Sequence, residues 1–404
     1  MKIGIVDADL IGRNKHRFPN LVCEKISAYW KERGATVVLL TNYKWRNRIS
    51  TFEAIYVSKV FTDTPVPAWI KETDKIHIGG TGFYFDKAPN LPPEIEHHMP
   101  DYTLYDKWIE SVVAQEKATR EKHGEKFNER SFRTQFREYK EYSIGFLTRG
   151  CFRKCAFCVN QKYDHVFCHS PLQEFYDPSL PKICLLDDNF LGSPNWKPML
   201  KTLIDTGKPF KFKQGLDERL LTEEKCRMLF SARYDNDYTF AFDNIADYDL
   251  IKKKLEMIRK HTKTNRIKFY VLVGFESTGV EDIENAFKRI ELLMRYHCLP
   301  YVMRFQNKNE TPWKDSEYCG MYTQLARWCN QLNIFKKMSF RQFCTRCQDV
   351  SGSDNWCAPY RAMKEFEEKH PDIAAEYFDL RYETLGSLNK PWNPDVENHT
   401  QEES

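Results

Sequence analysis

Cys151, Cys155 and Cys158 stand within eight residues of one another in SIGFLTRGCFRKCAFCVNQKYD, the stretch from Ser143 to Asp164. Thiolate sulfur is the customary ligand of iron–sulfur clusters and of zinc, and spacings of three and two residues let one short loop wrap a compact centre. Three thiolates are one too few to close such a site, which suits a four-iron cluster with one iron left open. Two other readings fit the same residues. Cys155, Cys158, His165 and Cys168 have the spacing of a zinc knuckle, with Cys151 idle. Three cysteines can also be unrelated buried thiols of an intracellular chain. Arg153 and Lys154, inside the loop, would favour deprotonated thiols and an anionic cluster.

The Cys-x3-Cys-x2-Cys spacing, with Phe157 just before the last cysteine, resembles the cluster loop of the radical S-adenosylmethionine (radical SAM; AdoMet) enzymes. The resemblance implies a 4Fe-4S cluster on Cys151, Cys155 and Cys158, Phe157 beside the cofactor, and an open iron that chelates the amino and carboxylate groups of AdoMet. An external donor such as flavodoxin or ferredoxin would reduce the cluster. Reductive cleavage of AdoMet would then give a 5′-deoxyadenosyl radical that takes a hydrogen atom from a substrate the sequence does not identify. DDNF at 187–190, GLDERL at 215–220 and FAFDN at 240–244 extend the resemblance toward members with a cobalamin domain and toward the methylthiotransferases.

The elements that must position these residues repeat as strand then helix from Glu141 onward. Expected strands are Tyr142 to Leu147, Lys182 to Leu186, Pro209 to Lys213, Tyr238 to Phe242, Ile267 to Val273 and Pro300 to Phe305, with helices such as Asp247 to His261 and Val280 to Tyr296 between them. Six such units predict parallel strands closing into a partial (β/α)6 TIM-type barrel over 141–310, the core the radical SAM resemblance also implies. Chemistry in such barrels gathers where strands end. The residues there are polar, though Asp or Asn before a helix is ordinarily a cap. By the resemblance, Asp187 or Asp188 would accept from the AdoMet ammonium, Asp243 and Asn244 would hold the ribose, and Gly274 would admit adenine beside Val271 and Val273. Asp217 and Arg219 would orient the carboxylate of AdoMet or pair with each other.

Residues 1–90 read as a small Rossmann-like open α/β sheet, with strands at Lys2 to Ile5, Ala35 to Leu40, Glu53 to Val57 and Lys75 to Ile78 and a helix from Phe18 to Arg33. This region resembles a cobalamin-binding-like domain but has no Asp-x-His-x-x-Gly, since His16 is followed by Arg17 and Phe18, so cobalamin is not expected to bind. Residues 91–140 form a charged connector, expected as a pair of solvated helices. A mostly helical extension fills 311–390, and 391–404 reads as a disordered tail. Within the extension Cys344, Cys347 and Cys357 could take a zinc ion or auxiliary cluster, with His370, Cys329 or substrate as fourth ligand, or could be packed thiols. The basic, aromatic segment 335–361 leaves modification of RNA or another nucleic acid as an alternative function.

Net charge is only +4 over 404 residues, so no global field argues for nucleic acid or membrane. The start, MKIGIVDADLIGR, reads as a strand and not a signal peptide, and no apolar run approaches the ~20 residues that span a bilayer. A cytoplasmic protein is expected. Its thirteen cysteines then read as reduced thiols or metal ligands. A non-catalytic zinc or iron–sulfur protein is the remaining alternative.

Overall fold

Every residue of strand β1 (Lys2–Asp7) after Lys2 is buried, the unbroken burial that a central parallel strand requires. The structure, a computed structural model, describes residues 1–307, 310–346 and 357–385. Among these, β1, β2 (Thr36–Leu39), β3 (Ala54–Ser58) and β4 (Ile76–Gly79) form a parallel sheet in the order β2-β1-β3-β4. The helix Leu21–Glu32 connects β1 to β2 and starts where the Asn20 side chain accepts from the Cys23 N–H.

Alternation along β1 sends Ile5 and Val6 to opposite faces. Val6 packs with Trp45, Phe52 and Ile70. Ile5 shares a core with Cys23 and Ile26, but also with Ile109, Val113, Phe136 and Tyr139. The 91–140 stretch is therefore not simply solvated. Its helix Asp106–Lys122 buries Ile109 and Val113, while the outward Arg133 pairs with Glu110 and Glu129, and Lys140 with Asp106.

The chain divides into two compact units, Met1–Gln214 with Ala232–Asp235, and Gly215–Ser231 with the chain from Asn236. The six strands expected from 141 onward are present, each parallel to its neighbour, three in each unit. In the first, β5 (Tyr142–Gly145) turns into β6 (Thr148–Arg149), which pairs antiparallel with β7 (Phe167–Cys168); β5 itself continues a parallel sheet with β8 (Lys182–Leu185) and β9 (Phe210–Phe212). In the second, β10 (Tyr238–Ala241), β11 (Ile267–Val273) and β12 (Leu299–Arg304) form the other parallel sheet. The extension is helical, with Phe287, Phe340, Tyr377 and Phe378 joined in an aromatic cluster. The expected tail lies outside the described residues. No helix among those described is long and apolar enough to cross a membrane.

Candidate metal centre

The cysteine loop is closed at its base by the β6–β7 ribbon, Thr148 opposite Cys168 and Arg149 opposite Phe167. Gly150 turns the chain off this ribbon at φ +85°, and a Cβ there would lie 2.2 Å from the His165 carbonyl oxygen on the returning side. Only glycine passes both tests. Gly150→Ala is therefore expected to open the base: metal content after reconstitution should fall while the far-UV circular dichroism stays near wild type. Full metal content in that variant would contradict the tightness of the turn.

Inside the loop the polar backbone is tied together. The Cys158 N–H donates to the Cys155 carbonyl at 2.9 Å, and the Gln161 side-chain amide donates to the carbonyls of Cys155 and Cys158 at 2.7 and 3.0 Å. The Lys154 ammonium donates to the carbonyls of Gln161 and Tyr163, so in this structure it braces the loop. Arg153 lies with its guanidinium 5.2 Å from the Phe152 ring centre. N–H groups also face the sulfurs. Cys151 Sγ accepts from the Arg153 N–H at 3.3 Å and from Asn189 Nδ2 at 3.4 Å, and Cys158 Sγ accepts from the Asn160 N–H at 3.4 Å. Donors of this kind stabilise thiolates and tune iron–sulfur centres. Burial raises the Cys158 thiol above its ordinary value, and the neighbouring Cys155 and Cys151 push the same way. A bound cation would reverse that preference.

Two of the acidic residues after β8 brace this loop, each in its own way. Asp187 is fully buried and accepts from the Leu147 N–H at 3.2 Å, the Thr148 N–H at 2.7 Å and the Thr148 hydroxyl at 2.6 Å. Burial pushes its pKa up to about 7 against the pull of those donors. Asp188 points to the loop itself: Oδ2 accepts from the Gly150 N–H at 2.8 Å and Oδ1 from Asn160 Nδ2 at 2.7 Å.

Among the described residues no three Cys, His, Asp or Glu side chains are gathered closely enough to hold a metal as they stand. The donor chemistry nonetheless fits an iron–sulfur cluster: three half-buried thiols on one closed loop, with N–H groups aimed at two of the sulfurs. The zinc-knuckle set is not gathered either. The His165 ring is mostly exposed and pairs with Asp164, and Cys168 Sγ accepts from Asn195 Nδ2 at 3.2 Å.

In the second unit the remaining candidates mostly serve one another. Asp217 accepts from the N–H and Nε of Arg219, at 3.3 and 2.8 Å, and Arg219 reaches Asp247 at 3.4 Å. Asn244 caps a short turn by accepting from the Ala246 N–H. Burial pushes Asp243 up to about 6. Gly274 has φ +68°, its N–H donates to Asp282 at 2.6 Å, and the space a Cβ would fill is taken by Trp313. The ends of β10 and β11 are joined by a residue the sequence reading passed over. Arg289, 2% exposed, donates to the carbonyls of Phe242, Asp243 and Leu272. An arginine at a buried position of a helical repeat was the available signal.

Glu218 was also passed over. It is buried, and its carboxylate accepts from the Ala241 N–H at 3.1 Å. Burial pushes its pKa up to about 8, whereas the unfolded chain titrates near ~4.3. The folded state thus holds the proton more tightly, so the stability this group adds is full below about pH 4 and is lost as pH rises through about 8. Glu218→Gln should melt close to wild type under acid conditions and above it in alkali. Parallel melting curves over a pH series would contradict that sign.

Of the C-terminal cysteines, Cys344 is buried in the helix Phe340–Thr345, Cys357 precedes the helix Ala358–Lys369, and Cys347 lies outside the described residues. Cys329 is buried, and His370 Nε2 is engaged by the Tyr318 hydroxyl at 2.8 Å. No family model matches this chain, and no curated protein matches it.

Proposed function

We propose that the protein is a radical SAM enzyme holding one 4Fe-4S cluster on Cys151, Cys155 and Cys158 and acting, through AdoMet, on a substrate still to be identified. The observation that most supports this reading is the ribbon-closed cysteine loop following the first strand of a parallel sheet, with N–H donors directed at its sulfurs. The reading takes the six parallel strands as a partial (β/α)6 barrel. When bound, the cluster would supply the electron, received from a flavodoxin or ferredoxin, that cleaves the sulfonium of AdoMet.

The chain's own residues would orient and protect. Asp188 fixes the loop through Gly150 and Asn160. Asp187 is enclosed, which leaves Asp188 as the acidic partner for the AdoMet ammonium. Phe152, Phe157 and Val159 are partly exposed around the thiols and would limit water there once a cofactor covers them. Asp243 would take the ribose hydroxyls with Asn244. Cobalamin has no part in the proposal.

Anaerobically reconstituted protein, incubated with AdoMet and dithionite, is expected to release 5′-deoxyadenosine and methionine. Stoichiometric zinc without iron in such a preparation, and intact AdoMet, would sink the proposal. Comparison of nucleosides and metabolites from cells with and without the protein then addresses the substrate.

A further inference from the structure

The order β2-β1-β3-β4 reverses its direction of travel between β1 and β3. In open parallel sheets, ligands lie in the crevice beyond the C-terminal strand ends at such a reversal. Here β1 ends at Asp7 and β3 at Ser58, opposite each other in register. A buried network locks both ends. Asp7 accepts from the Tyr105 hydroxyl at 2.9 Å and from the N–H groups of Asp9 and Leu10, and Asn20 Nδ2 donates to Ser58 Oγ at 2.9 Å. Beyond them, the segments after β1 and β3 line an open, solvent-facing pocket of about 430 Å³ formed by Gly12, Arg13, Lys15, His16, Phe61 and Asp63. That volume lies within the range of small-molecule sites.

The wall bearing Phe61 is held from two directions. The buried Asp9 carboxylate accepts from the N–H groups of Val60 (2.7 Å) and Phe61 (3.4 Å) and from the Thr64 hydroxyl, while the Thr81 hydroxyl donates to the Val60 carbonyl at 2.8 Å. Phe61 is nonetheless 40% exposed. A fixed loop therefore presents an aromatic ring to solvent. The Arg13 guanidinium lies 4.2 Å from that ring's centre and the His16 ring 5.9 Å from it. Burial lowers the His16 pKa below its ordinary value, so Arg13 and Lys15 carry the positive charge. Arg13 is paired with Asp63 at 2.6 Å, with both side chains substantially exposed. An exposed pair of this kind is held only weakly. A phosphate offers the guanidinium a stronger, bidentate partner.

We propose that this crevice binds a small anionic ligand of mononucleotide size, its phosphate on Arg13 and Lys15 and its flat ring on the Phe61 wall. The inference does not depend on what the cysteine loop holds.

Calorimetric titration of the full chain with AMP, inorganic phosphate and adenosine as probes tests it. AMP should bind one to one, at least about tenfold more tightly than either fragment. Arg13→Gln should weaken AMP about tenfold or more. Phe61→Ala should reduce AMP to the affinity of inorganic phosphate. Asp63→Asn should tighten AMP, because the guanidinium loses its competing partner and the phosphate a repelling charge. Equal melting temperatures among the variants would show that the fold is intact. Absence of saturable AMP binding, equal affinity for AMP and inorganic phosphate, or weakened binding in Asp63→Asn would each overturn the proposal.

Discussion

Cys155→Ala should abolish cluster iron and the broad visible absorbance of anaerobically reconstituted protein, and leave thermal unfolding of the metal-free chain unchanged. The backbone bonds by which Cys155 ties the loop survive the substitution. Its carbonyl accepts from the Cys158 N–H and the Gln161 amide, and alanine keeps that carbonyl. The thiol is what disappears. Loss of a partner outside the ligand shell of a metal typically costs about 10- to 100-fold in affinity, and loss of one thiolate of three should cost more. Iron and sulfide assays set beside melting curves measure both parts. A variant that keeps its iron would remove Cys155 from the ligand set, and one that melts early would make the thiol a packing group.

Asp188→Asn should weaken cluster retention by about tenfold to a hundredfold, whereas Asp187→Asn should chiefly lower the melting temperature. Both oxygens of Asp188 accept from loop groups, the Gly150 N–H and Asn160 Nδ2. An asparagine can keep one acceptor but turns an N–H toward the other donor. Hydrogen bonds to a charged acceptor are worth about 1.5 to 3 kcal/mol, which sets the expected loss if loop order and metal binding are coupled. Asp187 receives three donors in a site with no access to water. Leaving one of them unsatisfied costs about 1 to 3 kcal/mol of stability. Iron titration and calorimetric melting of the two variants, compared side by side, decide the matter. If Asp188→Asn keeps its cluster yet loses AdoMet, that carboxylate acts on the cofactor more than on the loop. If the two variants exchange phenotypes, the assignment of the two carboxylates is inverted.

The strands were legible because their residue types declare them. Ile267 to Val273 reads as a strand and forms one over those same residues, and the run beginning at Lys182 ends one residue before its expected limit. The β6–β7 ribbon was not legible, because two-residue strands have no period to detect and the run through Phe146 and Leu147 reads as a continuation of β5. The charged connector hid its apolar face for another reason: Tyr105, Ile109 and Val113 recur every four residues as a helix face does, but they are few among Glu, Lys and Arg, and Phe136 and Tyr139 join them from far along the chain. At the candidate centre, the cysteines were visible by spacing and the Asp187–Asp188 pair by its place after a strand. Which carboxylate would be enclosed and which would face the loop depends on backbone N–H partners some 40 residues away in the chain. Asn160, Gln161 and Asn189 escaped notice because uncharged amides carry no signature until a carboxylate, carbonyl or sulfur stands within reach.

The ribbon at the base of the cysteine loop is built from backbone pairing, with a further bond from the His169 N–H to the Leu147 carbonyl at 2.8 Å. None of these bonds involves a metal. The entropy of closing the loop is therefore met by the polypeptide, unlike small zinc domains, which fold only when the ion arrives. On the proposed cluster reading, the order of biogenesis would be that the chain folds first and iron enters last. Cells starved of iron should then accumulate a finished, protease-resistant apoprotein, and any scaffold that delivers the cluster would meet a preformed rim with half-buried Cys151, Cys155 and Cys158.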